Sequence, residues 1–281
     1  MNSTPRSVAD LVIFLHIPKT AGTTLWSILE KQYGAQQRRL KYGGITENNN
    51  KVRELLANSE AEKLKLVGSH IPFGAHEMTA RTTSYFTLMR DPIKWVCSTY
   101  YKILRKKTHS LHEKVALGNL TINQAIPLIE DNIQTRMLAG MSDLNWNDPE
   151  VPPPPCLPVH LEKARVVLKN NIDVMGLTER FDESLILLQR FYGWKTPFYS
   201  RKNVGSNVKA SQPPETIELI RARNAFDTEL YEFAKELFEE EIERFGRERL
   251  KREVSRFHLK NKIAGHLSIV RGKFRSLGGQ P

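Results

Sequence analysis

The residues able to do chemistry fall in four short runs: His16 to Thr24, Ser69-His70, Arg90-Asp91-Pro92 and Thr178-Glu179-Arg180. In the first, Lys19 supplies a point charge, Gly22 allows a tight turn, and Thr23 or Thr24 is expected to cap a helix that starts there. Free amides at a helix start favour a phosphate or sulfonate. The run is similar in logic to a Walker A loop, but Lys19 precedes the glycine instead of following it, which disfavours a nucleoside triphosphatase. The plain alternative is an ordinary strand–turn–helix with a surface lysine. In the third run, Asp91-Pro92 reads as a structural N-cap and first-turn pair. Arg90 can clamp a phosphate, and Ser98 lies eight positions on, in the second turn of the following helix, so one anion can sit between guanidinium and hydroxyl. Taken singly, both are ordinary surface or packing residues. His70 is a structural histidine or, at the end of a buried strand, an acceptor for the proton of a hydroxyl nucleophile.

These runs are placed by the elements before them. Leu11–Ile17, Leu64–Gly68, Tyr85–Met89 and Asp173–Leu177 are short and apolar, with helix-like sequence between them, which predicts a parallel sheet with crossover helices. All strand carboxyl ends then share one edge, where ligands bind. Helices are expected over Thr23–Tyr33, Val52–Ala57, Ile93–Lys106, Ile122–Ala139, Leu161–Asn170, Phe181–Tyr192 and Asp227–Phe245. In the last, Leu230, Phe233, Leu237, Phe238, Ile242 and Phe245 form one apolar face suited to core packing. Val151 to Pro158, with five prolines, reads as a rigid surface loop.

The chain has 281 residues, 40% of them hydrophobic, which suits one large α/β domain with a small appendage and argues against disorder throughout. Ten Lys/Arg against two acids lie between Arg247 and the end, a net +8 that leaves only +3 of the formal +11 for the rest. The division expected is a domain over 1–246 and a basic C-terminal extension over 247–281, able to touch nucleic acid, acidic glycans or a membrane surface, or simply a solvated helix end. Cys97 and Cys156 have no metal-ligand spacing. The first residues lack a signal peptide's apolar core and no run is long enough to cross a bilayer, so the expectation is a soluble, cytoplasmic protein. Lys102, Arg105, Lys106, Lys107, His109, His112 and Lys114 form a cluster that can attract acidic sugars, or a solvated helix face.

The runs together resemble the carbohydrate sulfotransferases, especially the hexuronyl 2-O-sulfotransferase branch and its bacterial relatives. Ile17-Pro18-Lys19-Thr20-Ala21-Gly22-Thr23-Thr24 is similar to that family's 5′-phosphosulfate loop, and Arg90-Asp91-Pro92 with Ser98 to its 3′-phosphate site. Gly68-Ser69-His70-Ile71-Pro72-Phe73 resembles the segment carrying the histidine base. Gly176 to Phe181 and Arg201-Lys202-Asn203 resemble further segments, the last a loop closing on the nucleotide. The branch often has a second histidine two positions before the base, where this chain has Gly68. The resemblance implies a P-loop-type three-layer α/β fold, with a central parallel sheet flanked by helices. It implies 3′-phosphoadenosine-5′-phosphosulfate (PAPS) as donor and a hydroxyl-bearing carbohydrate as acceptor, with no metal and no nucleic acid. Lys19 and Thr20 to Thr24 would hold the sulfonate and 5′-phosphate, His70 would deprotonate the acceptor, Arg90 and Ser98 would bind the 3′-phosphate, and Lys202 and Asn203 would close over the nucleotide. Two other classes stay open: a small-molecule or sugar kinase that needs Mg²⁺ and ignores a 3′-phosphate, and a non-enzymatic basic protein that binds glycans with steep salt dependence.

Overall fold

In a computed structural model of the chain, residues 9–40, 45–141, 154–199 and 212–261 are described. Five parallel strands form one sheet in the order β2-β3-β1-β4-β5: β1 Leu11–Leu15, β2 Gln37–Arg39, β3 Leu66–Ser69, β4 Thr83–Met89 and β5 Val174–Leu177. Helices α1 Gly22–Tyr33, α2 Ile45–Ala57, α3 Pro92–Arg105, α6 Pro158–Asn170, α7 Phe181–Tyr192, α8 Pro214–Arg223 and α9 Ala225–Phe245 flank it. The expected α/β class and parallel sheet are what the chain forms. Central strand β1 is buried along its whole length, and Phe14 stacks on Phe86 of β4 at 4.7 Å with Trp26 of α1 beside it. Fully buried strands covered on both faces read as continuous apolar runs, which is why four of the five were visible in sequence.

The fifth was not. β2 is three polar residues, Gln37-Arg38-Arg39, at the sheet edge; it pairs with β3 from Gln37 beside Leu66 to Arg39 beside Gly68. Its place is set by pairing alone, with no apolar pattern to announce it. The single helix expected over Ile122–Ala139 is also corrected. The chain forms α4 (Ile122–Ala125), a 3₁₀ turn (Ile126–Leu128) and, after Asn132 at φ 48°, α5 (Ile133–Leu138). Pro127 cannot donate to a helical ladder, and a left-handed residue ends one. Helix α8 had no counterpart in the sequence reading.

Gly246 (φ 97°) breaks the helix after α9, and the chain resumes as a helix, α10, over 247–261. α10 buries Leu250 and Phe257, pairs Glu253 with Arg190 of α7 at 2.7 Å, and exchanges two hydrogen bonds between Asn261 and the Tyr199 backbone, both at 3.0 Å. Up to residue 261, the segment set apart by its charge is packed against the body of the fold.

Candidate active site

The loop after β1 leaves the middle of the sheet with two non-glycine residues in the left-handed region, Lys19 (φ 65°) and Ala21 (φ 61°), around Thr20. Such conformations are uncommon and costly for residues with a side chain, and a run of this kind turns backbone amides toward one point, making a concavity that takes anions. Ala21 is the N-cap of α1, and no side chain caps that helix. The expectation that Thr23 or Thr24 caps it is therefore corrected: Thr23 is exposed, and Thr24 lies buried within the first turn. The uncapped amides of α1 are thus left to a ligand, in a strong position for one with negative charge. Thr20 also differs from expectation. Its hydroxyl is buried and donates to the Ile17 carbonyl at 2.7 Å, so its side chain holds the loop's shape.

The loop is braced by distant residues. Arg90, at the end of β4, donates from Nη1 to the Lys19 carbonyl at 2.6 Å, and Trp95 of α3 donates to the Pro18 carbonyl at 2.7 Å. The Arg90 backbone is gripped in turn by Gln134 of α5, which accepts from its amide at 2.9 Å and donates to its carbonyl at 2.8 Å. The start of α5 is held by Asp227 of α9, whose carboxylate accepts from the amides of Gln134 (3.1 Å) and Thr135 (2.7 Å) and from the Thr135 hydroxyl (2.8 Å). Burial lowers the Arg90 pKa, with Glu179 and Asp91 opposing the shift, and its buried Nε has no hydrogen-bond partner among the described residues. Asp91 does cap α3, accepting from the Lys94 amide at 3.0 Å.

On one side of the loop, Ala21, Thr24 and Arg90 line a cavity of about 800 Å³ with the segment Thr178 to Glu183, Tyr199 and α10. Ser98 is buried on α3 and is not among the residues lining this cavity. Lys202 and Asn203 lie outside the described residues. On the other side, β3 ends at His70, which is 9% exposed, and the ring of His16 lies 4.6 Å from it, centre to centre. Burial pushes His70 well below the usual imidazole range, with His16, Lys102, Arg39 and Lys19 adding to the shift, so it is neutral near pH 7. Burial also lowers Lys19, to about 8, and the charges of Lys102, Arg90 and Arg105 add to it. A neutral imidazole and several mutually repelling cations around one loop are chemically suited to accepting a proton and stabilising an anion.

His16, included in the first chemistry-bearing run but given no role there, lies at the heart of this arrangement. It is 3% exposed, lies 4.9 Å from the Phe14 ring, and is held neutral by burial, its pKa lowered to about 3. A methyl group at Gly22 would overlap its Nε2, so Gly22 is required for space as well as for the turn. Gly68 is likewise walled in: an added Cβ would lie 2.8 Å from the Phe14 Cβ and 2.9 Å from Trp26. No histidine fits two positions before His70, and a second imidazole instead reaches it from the end of β1. The only hint in sequence was the place of His16 directly after a buried strand.

A family model described as galactose-3-O-sulfotransferase matches residues 1–273. The chain belongs to that sulfotransferase family. Among the chain's relatives, heparan-sulfate 6-O-sulfotransferase 2 of Danio rerio is 24% identical over 283 residues, covering 81% of this chain and 58% of the relative. The Gallus gallus protein of the same name is 25% identical, covering 81% and 66%. A protein-tyrosine sulfotransferase of Arabidopsis thaliana is 34% identical over 102 residues, 36% of this chain and 19% of the relative. The chain thus spans less than two thirds of the length of these relatives. Among its described residues, no helix is long and apolar enough to cross a membrane.

Proposed function

We propose that the chain transfers a sulfonate group from PAPS to a hydroxyl of a carbohydrate. The observation that carries this reading is the placement of a neutral, buried His70 beside a loop that presents uncapped helix amides and Lys19. The donor, when bound, supplies an activated sulfonate whose displacement needs in-line placement and stabilisation of developing charge. The residues fit such a group. Uncapped α1 amides and the Lys19 ammonium would hold its anionic end, and the cavity beside Ala21, Thr24 and Arg90 has the volume of a site for a nucleotide-sized ligand. His70 would take the acceptor proton on the face opposite the cavity. The relatives' names span glycan and protein-tyrosine acceptors, so what they share is the transferred group; the glycan acceptor is favoured by the family match across 1–273 and by the two glycan-acting relatives. The hexuronyl 2-O-like, bacterial-type assignment is a finer proposal that rests on the motif pattern alone.

The test is calorimetry with adenosine 3′,5′-bisphosphate and adenosine 5′-monophosphate. The bisphosphate is expected to bind more tightly. Arg90→Lys, which keeps the charge but loses the fork, is expected to weaken it by roughly 10-fold or more, a charge-assisted contact contributing about 1.5–3 kcal/mol. Equal affinity for the two nucleotides, or tighter Mg²⁺-dependent ATP binding, would favour the kinase reading instead.

A further inference from the structure

The cavity beside the anion-binding loop has a wall that the donor motifs do not explain. Lys251, Val254, Ser255 and His258 line it, at spacings that place them on one face of α10. This face is fixed in position. Leu250 and Phe257 of the same helix are buried, Glu253 is tied to Arg190, and Asn261 is bonded twice to the Tyr199 backbone. Phe181 and Tyr199 also line the cavity, rings edge to face at 5.2 Å, with Tyr199 stacked on Phe257 of α10 at 6.0 Å.

The acids facing the cavity have partners of their own. Asp182 accepts from the Tyr199 hydroxyl and from His258 (2.8 Å), Glu183 is paired with Arg180, and Glu179 accepts from the Tyr231 hydroxyl at 2.8 Å. A ligand with its negative charge at Thr24 and Arg90 therefore meets, toward α10, a surface of aromatic rings, one valine, one serine and already balanced charge. That chemistry suits the uncharged, flat part of a nucleotide.

We propose that α10 forms the wall against which the purine nucleoside of the donor rests, with Val254 and Ser255 against the base and Lys251 and His258 at its rim. The proposal rests on the donor reading above. It makes the C-terminal helix, which the charge pattern sets apart from the catalytic domain, a part of the nucleotide site. Ser255 is exposed, and its hydroxyl is spent on the Lys251 carbonyl at 2.9 Å, so a large side chain there fills the cavity without disturbing the core.

The experiment is calorimetric titration of the full chain with adenosine 3′,5′-bisphosphate. Three proteins are compared: wild type, Ser255→Trp, and Arg256→Trp, which places the same bulk on a position of α10 that does not line the cavity. Ser255→Trp is expected to weaken binding by about tenfold or more, the scale of a lost base-stacking surface. Arg256→Trp is expected to match wild type. If Ser255→Trp melts below wild type, Ser255→Leu replaces it, with the same direction expected. Wild-type binding together with unchanged affinity in the Ser255 variants overturns the proposal and leaves the donor reading standing, as does equal weakening by Arg256→Trp. Absence of binding by the folded wild type overturns the donor reading itself.

Discussion

At the residue scale, the proposed function requires Lys19 charged and His70 neutral. Burial lowers both, Lys19 to about 8 and His70 well below its usual range. A lysine acts as a cation only below its pKa, so turnover is expected to hold through neutrality and fall as pH rises through about 8. Lys19→Arg should move that limb upward if activity survives; a profile flat to pH 9 with wild-type enzyme would remove Lys19 from the chemistry. His70→Ala is expected to cut turnover by about 10²–10⁴-fold while leaving adenosine 3′,5′-bisphosphate binding nearly intact, since His70 lies outside the cavity that Arg90 enters. Collapse of nucleotide affinity instead would make it a binding residue. Gly22 offers a cleaner test of His16. Gly22→Ala alone should destabilise by about 1–3 kcal/mol, because the new methyl meets the His16 ring. Adding His16→Ala should recover part of that loss, a coupling of about 0.5–3 kcal/mol in a double-mutant cycle read by urea unfolding. Strict additivity would show that the two do not meet.

At the element scale, α5 is a bracket. It is only six residues long, yet Asp227 of α9 secures its first amides and Gln134 passes that constraint to the backbone of Arg90. Asp227→Ala would leave buried amides without acceptors, and is expected to cost about 2–3 kcal/mol in thermal or urea unfolding. Because the bracket ends at the Lys19 carbonyl, the same variant should also weaken nucleotide binding at temperatures where it stays folded. Unchanged stability would show that the carboxylate is dispensable. The bracket was not legible in sequence: Gln134 lies 44 positions from Arg90 and 93 from Asp227, and nothing in the local pattern of either marks a partner. The strand-end residues were legible because a parallel sheet puts every carboxyl end on one edge, so position after an apolar run is informative without any contact being known.

At the scale of the whole molecule, burying imidazoles links folding to pH. His16 and His70 have folded pKa values below their unfolded value, so between roughly pH 6.5 and the folded values the unfolded chain binds more protons. Above pH 6.5 protonation adds no penalty to their burial, and stability is lost as pH falls below it. Asp227 acts the other way: burial raises it from 3.8 to about 6, against its hydrogen bonds, so its contribution is fullest at low pH and fades as pH rises through that window. His109, lowered to about 4 by burial, adds to the histidine side, so these histidines outweigh Asp227, the unfolded chain takes up protons near pH 5, and stability falls as the pH drops from 7 to 5. Urea titrations at pH 7 and 5 measure this, and His16→Asn should reduce the slope. A stability independent of pH across that range would contradict the burial of the histidine pair.

The sequence by itself determined the sheet and the chemistry at its edge. Apolar runs of strand length, separated by helical periodicity, permit little but a parallel α/β arrangement, and the loops after those runs must then hold whatever acts on a ligand. Lys19, His70 and Arg90 were singled out as candidates in this way. Tertiary structure alone decided which of them share a side of the loop, that Thr20 serves the loop's shape, and that the rings of His16 and His70 meet. It also decided that a helix apparently set aside by its charge closes the cavity. The reason is physical. Periodicity reports whether a residue faces the core or solvent, a property of its own segment, whereas a contact between segments is selected by packing and by buried hydrogen bonds that exist only once the chain has folded.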